Sequence, residues 1–156
     1  CIAHQSSGLW RHPRDRSREY TSMSHWKSLA RTLERGLFDG IFLADVAGVY
    51  DVYEDSPASA IRAAMQIPAN DPFSIIPAMA AVTEHLSFGV TGSIPYEPPY
   101  SFARRLSSLD HLTNGRIAWN VVTGYLDSAA RGVGREQQTA HDTRYEIADE
   151  YMEVVY

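Results

Sequence analysis

The chain has 156 residues, 44% hydrophobic and 21% charged, with a formal net charge of -5. That balance fits one soluble globular domain or part of a larger one and argues against disorder. No apolar run approaches the ~20 residues of a bilayer-spanning helix, and the 14 basic residues are too scattered for a nucleic-acid surface. The single cysteine, Cys1, leaves no internal disulfide, and "CIAHQSSGLWRHP" lacks the layout of a signal peptide, so a cytoplasmic location is expected. The first residue is not Met and "YEIADEYMEVVY" stops in mid-pattern, which predicts a fragment.

The first predicted element is a helix over "TSMSHWKSLARTLERG", with Met23, Trp26, Leu29, Ala30 and Leu33 on one stripe, Thr21 or Ser22 at its start and Gly36 at its end. "FDGIFLAD" follows as a short buried strand ending in Asp45. The connection after it, "VAGVYDVYEDSPASAIRAAMQIPANDP", is too long for a tight turn and reads as the wall of a binding site. "SIIPAMAAVTEH" is a second helix, "LSFGVTGSI" a second strand, and "PPYSFARRLSSLDHL" a third helix with Phe102, Leu106 and Leu109 on one face, ended by the left-handed-capable "TNG". "RIAWNVVT" is a third strand. "TRYEIADEYMEVVY" begins a last helix, with Thr143 and Glu146 at capping-box spacing and Ile147, Ala148, Tyr151, Met152 and Val155 facing inward.

Alternating helices and strands imply parallel strands joined by right-handed crossovers. An open doubly wound sheet and a (β/α)₈ TIM barrel both satisfy that order. No strand exits into Gly-x-Gly-x-x-Gly, which favours the barrel; a whole barrel takes ~250 residues, so this chain is expected to form a partial one. Half a barrel exposes two strand edges and one core face, so the isolated chain is expected to be unstable or self-associating.

Barrel active sites lie at the carboxyl ends of the strands. The residues there are Asp45, then Thr91 with Ser93, then Asn120 with Thr123 and Tyr125. Taken singly, each is better explained as ordinary loop chemistry. Their recurrence at three successive exits favours a shared pocket. His141 and Tyr145, at i, i+4, stack beside a helix N-terminus suited to an anion if the helix reaches back that far; otherwise they are a surface histidine beside a half-buried tyrosine. The six histidines include no His-x-His and no His-Glu-x-x-His, so no metal is expected. Cys1 and His4 fall where the exit of a preceding strand would be and could reach the same pocket, although a terminal cysteine is more often incidental. Trp10, Tyr50, Tyr53, Trp119 and Tyr125 would suit the walls of a site for a flat ring system, or serve as ordinary core.

The combination of "NGRIAWNVVT", "SAAR" and "H-x-x-R-Y-x-x-A-D-E", with "FDGIFLADVAGVYDVY" before it, resembles the nitrilotriacetate, pristinamycin and dibenzothiophene-sulfone branch of the bacterial-luciferase-like flavin monooxygenases. The resemblance extends over essentially the whole chain. It implies a luciferase-like TIM barrel, usually homo-oligomeric, that takes reduced FMN from a separate NAD(P)H:FMN reductase. O₂ would then be activated as a flavin C4a-(hydro)peroxide to oxygenate a small-molecule substrate. By position, the resemblance assigns Asp45, Thr91, His141 and Tyr145 to the FMN, with Asn120 beside them. It assigns Tyr50, Gln66 and Tyr125, together with Cys1 and His4, to the flavin and substrate space. Ser7 and Tyr125 stand where alkane-oxidising relatives carry histidines, which argues against alkane hydroxylation. An F420-dependent oxidoreductase and a non-catalytic half-barrel are the rival expectations.

Overall fold

The structure is a computed structural model that describes residues 9–156. The expectations for Cys1, His4 and Ser7 lie outside the described residues. The elements run α1 (Met23–Arg35), β1 (Gly40–Leu43), α2 (Ala58–Ala63), α3 (Ile76–Ala80), β2 (Ser87–Ser93), α4 (Pro99–Thr113), β3 (Ile117–Val122), α5 (Asp127–Gly132) and α6 (His141–Val155), with short 3₁₀ turns between them.

The three strands form one parallel sheet in the order β1, β2, β3. The register aligns Ile41 with Phe88 and Ile117, and Leu43 with Val90 and Trp119, so the same face of every strand is apolar. Helices cover that face. Trp26 and Ala30 of α1, Ile76 and Met79 of α3, Phe102 and Leu109 of α4, and Ala148 and Tyr151 of α6 close over Phe88 and Val90 in one core. The opposite face, in the register Phe42, Gly89, Ala118, lies outside that core, and Phe42 is 59% exposed. A parallel sheet with helices on one face and short strands in sequential order is the arc expected of a partial barrel.

Phe102 is the hub of this packing. Its ring lies 4.4 Å from that of Trp119, 5.9 Å from Phe73 and 6.0 Å from Tyr151, while the Arg105 guanidinium sits 4.2 Å above Phe73. Arg105 also pairs with Glu97. Gly92 is obligatory here. A Cβ on it would stand 2.8 Å from both Phe102 and Trp119 Nε1, whose N–H donates to the Gly92 carbonyl at 2.9 Å.

Four details differ from the sequence reading. The predicted helix over residues 74–85 ends at Ala80. In a continuing helix the Glu84 N–H would reach the Ala80 carbonyl. Instead it donates to Glu34 at 2.8 Å, and the carbonyls of Ala80, Thr83 and Leu86 accept from the guanidinium of Arg116. The last helix begins at His141 with Ala140 preceding it, so Thr143 lies inside it and forms no capping box. Its entry is tied by Arg144, whose Nη1 donates to the Thr139 carbonyl at 2.6 Å. Ser22 occupies the N-cap of α1 but makes no side-chain capping bond, and Met23 is 63% exposed rather than part of the inward stripe. The short helices α2 and α5 were not anticipated. At the end of α4 the expectation matches: Asn114 adopts the left-handed conformation, φ 54° and ψ 49°.

Candidate functional site

All three strands point their carboxyl ends into one cleft of about 770 Å³. That volume falls within the ~300–1,000 Å³ typical of small-molecule sites. Asp45 follows β1, Thr91 and Ser93 end β2, Asn120 lies on β3 with Thr123 and Tyr125 after it, Tyr50 comes from the long connection, and His141 and Tyr145 open α6. Of the described candidate residues, Asp45, Tyr50, Thr91, Asn120, Tyr125, His141 and Tyr145 therefore line the same space, and Gln66 does not.

The strand register explains the polar floor. Thr91 is paired with Asn120 across β2 and β3, on the face away from the helices, and Asn120 Nδ2 donates to Thr91 Oγ1 at 3.1 Å. Thr91 is 4% exposed, so its hydroxyl is fixed by this bond rather than by solvent. Beside it, Ser93 Oγ is buried with no hydrogen-bond partner, and so is the Nε of Arg144, another residue of the lining. Buried polar atoms left unpaired are costly, and two residues of the cleft lining each carry one.

Asp45 contributes a different property. Burial, and then the charge of Asp71, raise its carboxyl above the ordinary 3.8. At the far side the rings of His141 and Tyr145 pack against each other, centroids 5.0 Å apart and tilted at 46°. The helix does extend back to His141, so His141 sits on the first turn of α6, where free N–H groups and the helix dipole favour negative charge, with Tyr145 one turn on.

The aromatic wall consists of Tyr50 and Tyr125, whose rings lie 6.5 Å apart at 40°. Burial, followed by a hydrogen bond with Tyr50, pushes the Tyr125 hydroxyl up to about 12. The hydroxyl is thus neutral near pH 7. Three other aromatics belong elsewhere: Trp119 packs into the helix-covered core, Trp10 donates to the Ala63 carbonyl at 3.1 Å, and Tyr53 borders a separate hollow with Ala60 and Met65. Gln66 is buried and absent from the lining.

Sequence reasoning missed Tyr96, Arg144, Asp149 and Met152, which complete the wall. The signal for Arg144, Asp149 and Met152 was available, since they fall near His141 and Tyr145 along a single helix. Tyr96 had no such signal, because the 3₁₀ turn Ile94–Tyr96 brings it round after β2. Among the described residues no group of three or more His, Cys, Asp or Glu is placed to hold a metal ion, and no helix is long and apolar enough to cross a membrane.

Known proteins share this arrangement. The luciferase-like monooxygenase family profile matches residues 7–156. A dimethyl-sulfide monooxygenase from Hyphomicrobium sulfonivorans is 60% identical over 156 residues, which is 100% of this chain and 32% of that protein. A long-chain alkane monooxygenase from Geobacillus thermodenitrificans (strain NG80-2) is 56% identical over 100% of this chain and 36% of its own length. The crystal structure of a long-chain alkane monooxygenase superposes with a TM-score of 0.95 at 56% identity, again over 100% of this chain and 36% of that one. A riboflavin lyase solved with modified FMN and riboflavin superposes at 0.88 with 39% identity, over 99% of this chain and 34% of that one. The chain spans about a third of the length of the curated relatives it matches.

Proposed function

The chain belongs to the luciferase-like monooxygenase family, and from that premise we propose that it forms the amino-terminal part of a (β/α)₈ barrel that binds reduced FMN and oxygenates a small organic molecule with O₂. The observation that carries the reading is the convergence of Asp45, Thr91, Asn120, His141 and Tyr145, from four separated stretches of chain, on one cleft. The donor set fits a flavin nucleotide. His141 and Tyr145 at the α6 terminus suit its anionic end, and Asp45, Thr91 and Asn120 suit the polar edge of a ring system.

Reduced FMN, when bound, supplies the electrons that activate O₂. The protein's own residues then have three tasks. Asn120 and Thr91 orient the bound ring through their shared hydrogen bond. Tyr50 and Tyr125 line the substrate space and limit water access. Asp45, its carboxyl raised by burial and by the charge of Asp71, takes up a proton more readily than an ordinary aspartate. Cys1 and His4 are proposed to complete the substrate side. The full protein is proposed to work in the cytoplasm as a homo-oligomer with an NAD(P)H:FMN reductase, consistent with the two relatives being monooxygenases.

The test is anaerobic titration of the full-length protein with photoreduced FMN, followed by flavin absorbance. Saturable binding is expected, weakened about tenfold, or ~1.4 kcal/mol, by His141→Ala and by Asn120→Ala. Binding that is absent, or unaffected by both changes, would sink the reading. Uptake of reduced F420 in place of FMN would replace it with deazaflavin-dependent hydride transfer.

A further inference from the structure

Two segments far apart in sequence, "GVYDVY" after β1 and "LDSAAR" at α5, are joined at the cleft by four hydrogen bonds. The Ser128 hydroxyl donates to the Val49 carbonyl at 2.5 Å and accepts from the Val49 N–H at 3.0 Å, so one side chain saturates both backbone groups of one residue. The Ser128 N–H donates to Asp51 Oδ2 at 3.0 Å, and Arg131 Nη2 donates to the same oxygen at 2.9 Å. The Asp51 side chain is 12% exposed and its Arg131 partner 54%, so the carboxylate is largely buried while the guanidinium reaches solvent. Gly48 permits the approach: a Cβ there would stand 2.5 Å from Ser128 Oγ and 2.6 Å from the Ala129 nitrogen.

The bonded positions on the first segment are Val49 and Asp51, one on each side of Tyr50. On the second segment Ser128 follows Tyr125 by three residues, with buried Leu126 between them. Val49 and Asp51 belong to a connection that contributes no strand, and none of the four bonded residues belongs to the apolar cluster under the sheet. Its geometric product is the relative placement of the two tyrosine rings at 6.5 Å.

The geometry points to Asp51 and Ser128 as positioning residues: they latch the connection after β1 onto α5 and thereby set the Tyr50–Tyr125 wall that faces the substrate. This rests on the oxygenase reading only for the statement that the wall faces a substrate. Asp51 and Ser128 do not touch the reacting atoms themselves. A hydrogen-bonded mount of this kind is how a site on loops reaches the precision of one on strands.

The experiment uses the full-length protein labelled with 3-fluorotyrosine and observed by ¹⁹F NMR. The Tyr50 and Tyr125 resonances are assigned by their loss in Tyr50→Phe and Tyr125→Phe. In the parent, Tyr125→Phe is expected to shift the Tyr50 resonance, because the rings are in contact. In Ser128→Ala, adding Tyr125→Phe is expected to leave Tyr50 unmoved, while the core residue Tyr151 keeps its parent shift and reduced-FMN affinity stays within twofold. Asp51→Ala provides an independent variant with the same expectation should Ser128→Ala fail to fold. A Tyr50 response to Tyr125→Phe that persists in the latch variants would overturn the proposal. Loss of the Tyr151 shift would also overturn it, by making the junction part of the general core. A parallel fall in FMN affinity would do the same, by making it part of the cofactor site. The NMR readout needs neither flavin nor substrate, so its failure is separable from failure of the oxygenase reading.

Discussion

Gly92→Ala is the sharpest test of how the sheet carries the cleft. Gly92 sits between Thr91 and Ser93 on β2 but faces the opposite way, into the helix-covered core. An added Cβ meets Phe102 Cε2 at 2.8 Å and Trp119 Nε1 at 2.8 Å, well inside the separation that unstrained carbon atoms keep. Phe102 cannot retreat freely, since Phe73, Trp119 and Tyr151 hold it on three sides. Overpacking of such a core costs roughly 1–3 kcal/mol, and displacing the Trp119 N–H from the Gly92 carbonyl adds ~1 kcal/mol. The expected loss is therefore about 2–4 kcal/mol in denaturant unfolding of the full-length protein, with an altered Trp119 fluorescence environment. Gly89 is the control on the same strand. Its added Cβ would lie 3.4 Å from the Phe42 ring, an ordinary contact, and would gain up to ~1 kcal/mol from reduced chain entropy. A Gly92→Ala protein within 0.5 kcal/mol of the parent (about the noise of such measurements), or a Gly89→Ala protein equally impaired, would refute the packing argument.

Three further outcomes follow from the same geometry. Arg116→Met should cost ~3 kcal/mol or more, measured by urea unfolding, because it strips donors from the carbonyls of Ala80, Thr83, Leu86 and Thr113; an unchanged midpoint would mean water replaces the guanidinium. Asp45→Asn should stabilise the flavin-free protein near neutral pH. The folded-state carboxyl is raised, so its ionised form is penalised once pH rises through the folded value, and the advantage of the variant should vanish below the ordinary 3.8. A stability difference that grows toward acid would contradict that sign. Asn114→Gly should be tolerated while Asn114→Ala loses ~1 kcal/mol, as read by thermal unfolding, because φ is 54° there; equal effects would show that the left-handed turn is not the determinant.

The strands and the long helices could be read from the sequence because their periodicity and their burial agree. "IFL" and "SFGVT" alternate against one helix layer, and Phe102, Leu106 and Leu109 repeat at helical spacing. The end of α3 could not be read, since "AAVTEH" is compatible with continuing helix and what stops it is Glu34 and Arg116, each about thirty or more residues away. The start of α6 was misplaced for a related reason: a Thr-x-x-Glu spacing suggests a cap, but Arg144 fastens the chain two residues earlier. Among the candidate site residues, the strand exits were legible because a parallel sheet places them together. The latch was not, because nothing local to "SAAR" or "YDVY" announces a partner nearly eighty residues away.

Arg116 and the cleft occupy opposite ends of the sheet. The guanidinium gathers carbonyls where β2 and β3 begin, and the hydroxyls, amide and tyrosines collect where they finish. Chemistry at one end can therefore be exchanged without reopening the other. Replacing the segment between Ala44 and Asp71 while keeping Asp45, Gly48, Val49, Tyr50 and Asp51 would give a chassis whose ligand preference is tuned by a removable cassette, with the sheet itself left as a constant.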